Sequence, residues 1–87
     1  MQPMGRAKIL LAVMKPGDKG RVAAYLHPEQ SATRRLAALG FLPGEMFLLE
    51  RRRPDFLIRF GYTRVAINRT LARQIMVYKM TVSCGNR

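Results

Sequence analysis

The 87-residue chain has one cysteine, one histidine and five acidic residues, and each scarcity removes a class of chemistry. A single thiol, Cys84, precludes an intramolecular disulfide and fits a reducing compartment. It falls in a polar stretch after the last expected strand, without the structured surround a catalytic thiol needs. The lone histidine, His27, precedes a proline in an expected loop, and no Gly-x-Ser-x-Gly elbow accompanies it. Nucleophilic catalysis therefore has no base beside a nucleophile, and no catalytic residue is expected. A phosphate-cradling Gly-x-x-x-x-Gly-Lys-[Ser/Thr] loop is also missing, so nucleotide hydrolysis by this chain is not supported. The acids Asp18, Glu29, Glu45, Glu50 and Asp55 are scattered, and His27 with Glu29 lacks a third ligand nearby. Excess positive charge would repel a divalent cation. Neither a resident metal nor a cofactor is expected.

Long apolar runs are absent too. Ile9–Met14 gives six apolar residues after Arg6 and Lys8. That is well short of the ~18 residues that span a bilayer and of the ~7–15 of a secretion-signal core. Lys15-Pro16 follows with no small-residue cleavage site. The expected organisation is a loosely ordered N-terminus over residues 1–10, one domain over 11–80 and a flexible tail over 81–87.

What the chain has in abundance is arginine. Sixteen Lys and Arg against five acids give a net charge of +11. Arginine outnumbers lysine twelve to four, and its fork matches carboxylate and phosphate. Such a balance favours an acidic partner: nucleic acid, an anionic membrane surface or a negative protein face. Nucleic-acid binding by a basic barrel would want exposed aromatics between the cations. Most of the seven aromatics fall at core-type alternating positions, leaving Tyr25, Tyr62 and Tyr78 to point outward.

Hydrophobic content of 48% allows a small compact core. The turn-rich segment 15–20 leads into a strand at Arg21–Leu26, where Val22, Ala24 and Leu26 alternate with Arg21, Ala23 and Tyr25. Further strands are expected over Met46–Arg52, around Phe56, Ile58 and Phe60, over Arg64–Asn68, and around Ile75, Val77 and Lys79. Asn68–Ala72 is short enough for a single helical turn.

The densest stretch is Thr33–Glu45, TRRLAALGFLPGE. Ser31 is the expected N-cap of a short helix over 31–39, with Ala32, Leu36 and Leu39 as its apolar stripe. Arg34 and Arg35 lie on its exposed side, Gly40 stops it, Phe41 and Leu42 turn inward, and Pro43-Gly44 turns the chain into the next strand. The pattern overall is mostly β, a small, highly curved barrel of five or six short strands with one short helix. On composition and periodicity a five-stranded oligonucleotide-binding barrel and a Src-homology-3-like barrel are equal rivals.

The segment RRLAALGFLPG resembles the signature of the FeoA family, ferrous-iron transport protein A of bacteria. Upstream, Leu11, Met14 and Lys15–Val22 resemble its opening motif L-x-x-L-x-P-G-x-x-G-x-V. Downstream, Gly61-Tyr62, Val65-Ala66-Ile67, Ala72, Ile75 and Val77 are similar to its closing motif. Together these pieces cover residues 11 to 79. Asn68 stands where the family usually has arginine, Leu71 where it often has glutamate, and Arg51–Phe56 is shortened. The resemblance implies a Src-homology-3-like barrel with the helix inserted after the first strand. It also implies a cytoplasmic accessory protein of ferrous-iron uptake, whose partner is the cytoplasmic, GTP-binding region of the FeoB membrane transporter. An anionic inner-membrane surface is a further expected contact. The expected partner-binding residues are Arg34, Arg35, Leu39, Phe41, Leu42 and Pro43, with Leu39 or Phe41 equally suited to the core and the core the favoured place for Leu39. The alternative is a basic barrel that binds nucleic acid, or a regulatory domain related to iron-dependent repressors.

Overall fold

Strand signals separated by glycine-bearing turns assemble into one antiparallel sheet. The structure, a computed structural model, describes residues 7–80. Six strands run as β1 (Lys8–Leu10), β2 (Lys19–Tyr25), β3 (Met46–Arg51), β4 (Phe56–Phe60), β5 (Thr63–Ile67) and β6 (Ile75–Met80). Two helices, α1 (Ser31–Ala38) and α2 (Arg69–Ala72), and a 3₁₀ turn over Leu11–Val13 complete the fold. Spatial order is β1-β6-β2-β3-β4-β5, which leaves β1 and β5 as edges. Beyond β5, α2 packs on the 3₁₀ turn that follows β1, so helical turns bridge the two ends of the curved sheet. Bulges between Val22 and Ala24 and between Leu49 and Arg51 bend the central strands as closure requires.

Period-two alternation decides the interior. Val22, Phe47, Leu49, Phe56, Ile58, Phe60, Ile67, Ile75 and Val77 point inward, and Leu11, Met14, Leu36, Phe41 and Ala72 fill the ends. Phe41 lies at the centre of an aromatic group, 5.2 Å from Phe47 edge-on and 4.9 Å from Phe60.

Several expectations change in detail. Residues 8–10 are not loose: they pair with β6, Ile9 opposite Val77, because the apolar run supplies a half-buried edge strand. The helix consequently follows the second strand rather than the first. Residues 1–6 and the expected tail 81–87, Cys84 included, lie outside the described residues. The bulge in β2 shifts its register, so Leu26 is exposed instead of continuing the inward alternation.

Candidate interaction surface

Helix α1 and the turn after it carry the expected partner-binding residues. The first intrahelical bond runs from the Arg34 amide to the Gln30 carbonyl, so Gln30 is the N-cap and Ser31 is already helical. No side chain caps this end. The C-terminus is more tightly built. Gly40, at φ +107°, donates to Ala37 O, and Phe41 N donates back to Leu36 O. This pair of bonds is the Schellman arrangement, and its usual hydrophobic contact between the third-last and the second following residue is supplied by Leu36 and Phe41. Both are buried, at 3% and 0% exposure.

That motif sorts the surface. Phe41 is a core residue and cannot touch a partner, because the helix stop drives its ring between Phe47 and Phe60. Leu39, placed in the apolar stripe by spacing, is 51% exposed instead. It is the helix C-cap, and the buried face of α1 is Thr33 with Leu36, not Ala32 with Leu39. Leu42 is 49% exposed and so does not turn inward, and Pro43 is exposed beside it. Arg34 and Arg35 are exposed as expected, and neither pairs with an acid among the described residues.

The turn is held rigidly. Leu42–Glu45 closes with a Glu45 N to Leu42 O bond of 2.8 Å, with proline at its second position and Gly44 at φ +96° in its third. These are the residues a type II turn demands. Gly44 N donates to Val22 O, and Val22 N donates to Glu45 O. From β2 the Tyr25 hydroxyl donates to the Phe41 carbonyl. Burial pushes the Tyr25 hydroxyl up from 10.0 to about 12, which extends its role as a donor into the alkaline range. Three contacts thus fasten the helix exit to the sheet.

Beside α1 runs a groove of about 280 Å³ between Arg35 and Leu39 on the helix and Val65, Ala66 and Leu71 across from it. Its floor includes Leu36 and Ile67. Strand β5 forms one wall and is bonded on one side only, by β4. An apolar trough lined by an unpaired strand edge, with arginine at its rim, suits an extended segment of another protein. Val65, Ala66 and Leu71 were not in the expected site. Their distance from the helix along the chain hides the contact from local pattern, and the signal available was a short half-apolar strand ending the sheet.

Among the described residues no group of three or more His, Cys, Asp or Glu side chains comes together. His27 and Glu29 form an exposed pair at 3.7 Å, Asp18 meets Lys79, and Glu50 is engaged by Arg59 and Arg64. No helix among the described residues is long and apolar enough to cross a membrane.

A family model, the FeoA domain, matches residues 9–79. The chain belongs to the FeoA family. It is 32% identical to a crystallised iron uptake regulatory protein named FeoA, covering 85% of this chain and 99% of that one, with a TM-score of 0.73. The zinc-complexed FeoA of Stenotrophomonas maltophilia, described as a procaryotic SH3 domain protein, is 27% identical over 79% of this chain and 88% of that one, with a TM-score of 0.70. IdeR of T. acidophilum superposes with a TM-score of 0.78 at 18% identity, covering 92% of this chain and 37% of that one. At that identity the likeness is one of fold. No curated protein sequence matches significantly. The six-stranded antiparallel sheet and the likeness to the Stenotrophomonas SH3 domain protein favour the Src-homology-3-like fold over the oligonucleotide-binding barrel.

Proposed function

We propose that this FeoA-family chain is a non-enzymatic accessory protein of ferrous-iron uptake. It acts in the cytoplasm by docking on the cytoplasmic part of a FeoB-type transporter, permitting or regulating Fe(II) transport. The observation that carries the reading is the groove between α1 and the open edge of β5, with Leu39 and Arg35 at its lip. Support also comes from the Stenotrophomonas relative, which is described as a candidate ferrous iron transport activating factor. Five of the six expected contact residues, Arg34, Arg35, Leu39, Leu42 and Pro43, remain at the surface, whereas Phe41 is withdrawn into the core. An extended acidic segment with alternating apolar side chains would add to β5 by main-chain bonds, place its apolar residues on Val65 and Leu71, and offer a carboxylate to Arg35 at the rim.

The test uses Leu39→Ser together with Arg35→Gln. Both positions are exposed, so stability should stay within about 0.5 kcal/mol of the parent. Recovery of the transporter from membranes, and Fe(II) uptake by cells carrying the variant, should fall together. Equal recovery from membranes with and without the transporter would defeat the proposal.

A further inference from the structure

A second surface is built by the register of the sheet and is separate from the groove. Facing residues in an antiparallel ladder project on the same side. Arg21 of β2 faces Met46 of β3, Lys19 faces Leu48, Leu48 faces Arg59 of β4, and Arg59 faces Arg64 of β5. The residues between them, Gly20, Phe47 and Ile58, are buried, so this row lies on the outside of the barrel. Four strands at a spacing of about 4.8 Å spread the row over an arc of about 14 Å along the curved outer surface of the sheet.

Charge on this face is organised rather than diffuse. Glu50, with 17% of its side chain exposed, receives Arg59 at 3.5 Å and Arg64 at 2.9 Å. One carboxylate holds two guanidinium groups side by side and leaves them 54% and 62% exposed, with one positive charge in excess. Lys19 and Arg21 have no acidic partner among the described residues. Between the cations lie half-buried Leu48 and Met46, which is 45% exposed. At the end of the row an open dish of about 380 Å³ is formed by Arg59, Gly61, Tyr62 and Arg64. Tyr62 stands fully clear of the protein on the β4–β5 turn, at 108% relative exposure.

We propose that this face, made by Lys19, Arg21, Arg59 and Arg64 around Met46 and Tyr62, docks on an anionic membrane surface. A strand-tracking nucleic-acid site offers successive aromatic platforms. Here Tyr62 is the sole fully exposed aromatic among the described residues; Tyr78, which faces Arg21 from β6, is half-buried, and the side chains between the cations on β3 are aliphatic. One interfacial tyrosine, aliphatic side chains and several cations are the composition that headgroups and the upper acyl region accept. The dish between Arg59 and Arg64 has the charge to take a headgroup phosphate.

The experiment is co-sedimentation of the whole chain with vesicles of phosphatidylcholine alone and of phosphatidylcholine mixed with phosphatidylglycerol. The chain should partition onto the anionic vesicles only, and high salt should release it. Each cation near the surface is worth roughly fivefold, so Lys19→Gln, Arg21→Gln and Arg59→Gln combined should weaken partitioning on the order of 100-fold. Arg34→Gln with Arg35→Gln should leave it near the parent value and should reduce transporter recovery instead, so this proposal and the previous one fail separately. The chain has no tryptophan, so Tyr62→Trp adds one reporter. Its emission should shift to the blue on anionic vesicles and stay unchanged on neutral ones. Circular dichroism shows whether each variant is folded, and Tyr62→Trp, at an exposed turn, tests the face even if the triple variant unfolds. Equal binding to neutral vesicles, an equal loss from the helix variant, an unshifted emission from Tyr62→Trp, or displacement of the chain from anionic vesicles by duplex DNA at equal phosphate would each overturn the proposal.

Discussion

Replacing Gly20 by alanine tests how tightly the barrel is closed around its aromatic centre. Gly20 is buried in β2 between Phe47 of β3 and Lys79 of β6. A Cβ built there would lie 2.8 Å from Phe47 Cζ, 3.0 Å from Phe47 Cε1 and 3.1 Å from the Tyr78 carbonyl oxygen. Carbon atoms attract best at about 3.5–4.0 Å, so the added methyl needs several tenths of an ångström on two sides. Neither side yields easily. Phe47 is packed edge-on against Phe41 at 5.2 Å, Phe41 in turn lies 4.9 Å from Phe60, and the Tyr78 oxygen is backbone in a paired strand. Overpacking of this kind costs about 1–3 kcal/mol. The reduced freedom of the unfolded chain returns about 0.4–1 kcal/mol, leaving a net loss of about 1–2 kcal/mol. At about 4–8 °C per kcal/mol for a domain of this size, the midpoint should fall by about 4–16 °C. Thermal unfolding followed by circular dichroism measures it. Phe47→Leu in the same chain should relieve the clash, giving a favourable coupling of about 1 kcal/mol or more in a double-mutant cycle. A Gly20→Ala variant as stable as the parent, or strict additivity with Phe47→Leu, would refute the reasoning.

Tyr25→Phe should cost about 1 kcal/mol, the worth of its bond to the Phe41 carbonyl, by urea unfolding at neutral pH. Because burial raises the folded-state pKa of Tyr25 from 10.0 to about 12, its contribution is complete below pH 10 and is lost as pH rises toward 12. The parent should therefore lose more stability than Tyr25→Phe across that window in paired alkaline titrations. Asn68→Ala removes the side-chain oxygen that accepts from Leu71 N at 2.8 Å at the start of α2, and should cost about 1 kcal/mol by the same unfolding assay. Arg52 donates to Ala12 O at 3.2 Å and covers the Phe56 ring at 5.5 Å, tying the β3–β4 hairpin to the 3₁₀ turn. Arg52→Ala should cost about 1–2 kcal/mol and should speed hydrogen exchange in the N-terminal segment first.

Much of the chain was legible before folding because its signals are local. Alternation at Phe56, Ile58 and Phe60 fixed which face of β4 is buried, and Gly40 with Pro43-Gly44 fixed where α1 stops and turns. Scarcity of histidine, cysteine and acids gave the expectation of no reactive centre. Net charge pointed to an anionic partner without saying where it would bind. Tertiary structure decided what local pattern could not. Leu39 and Phe41 are two residues apart and equally apolar, yet the Schellman bond to Leu36 sends Phe41 into the core and leaves Leu39 outside. A bulge in β2 shifted the alternation that spacing had assigned to Leu26. The groove exists because β5 ends the sheet beside α1, and the cationic row exists because four strand registers align Arg21, Lys19, Arg59 and Arg64. Turn chemistry and side-chain period are properties of a few neighbouring residues, whereas register and edge position depend on how distant segments pair.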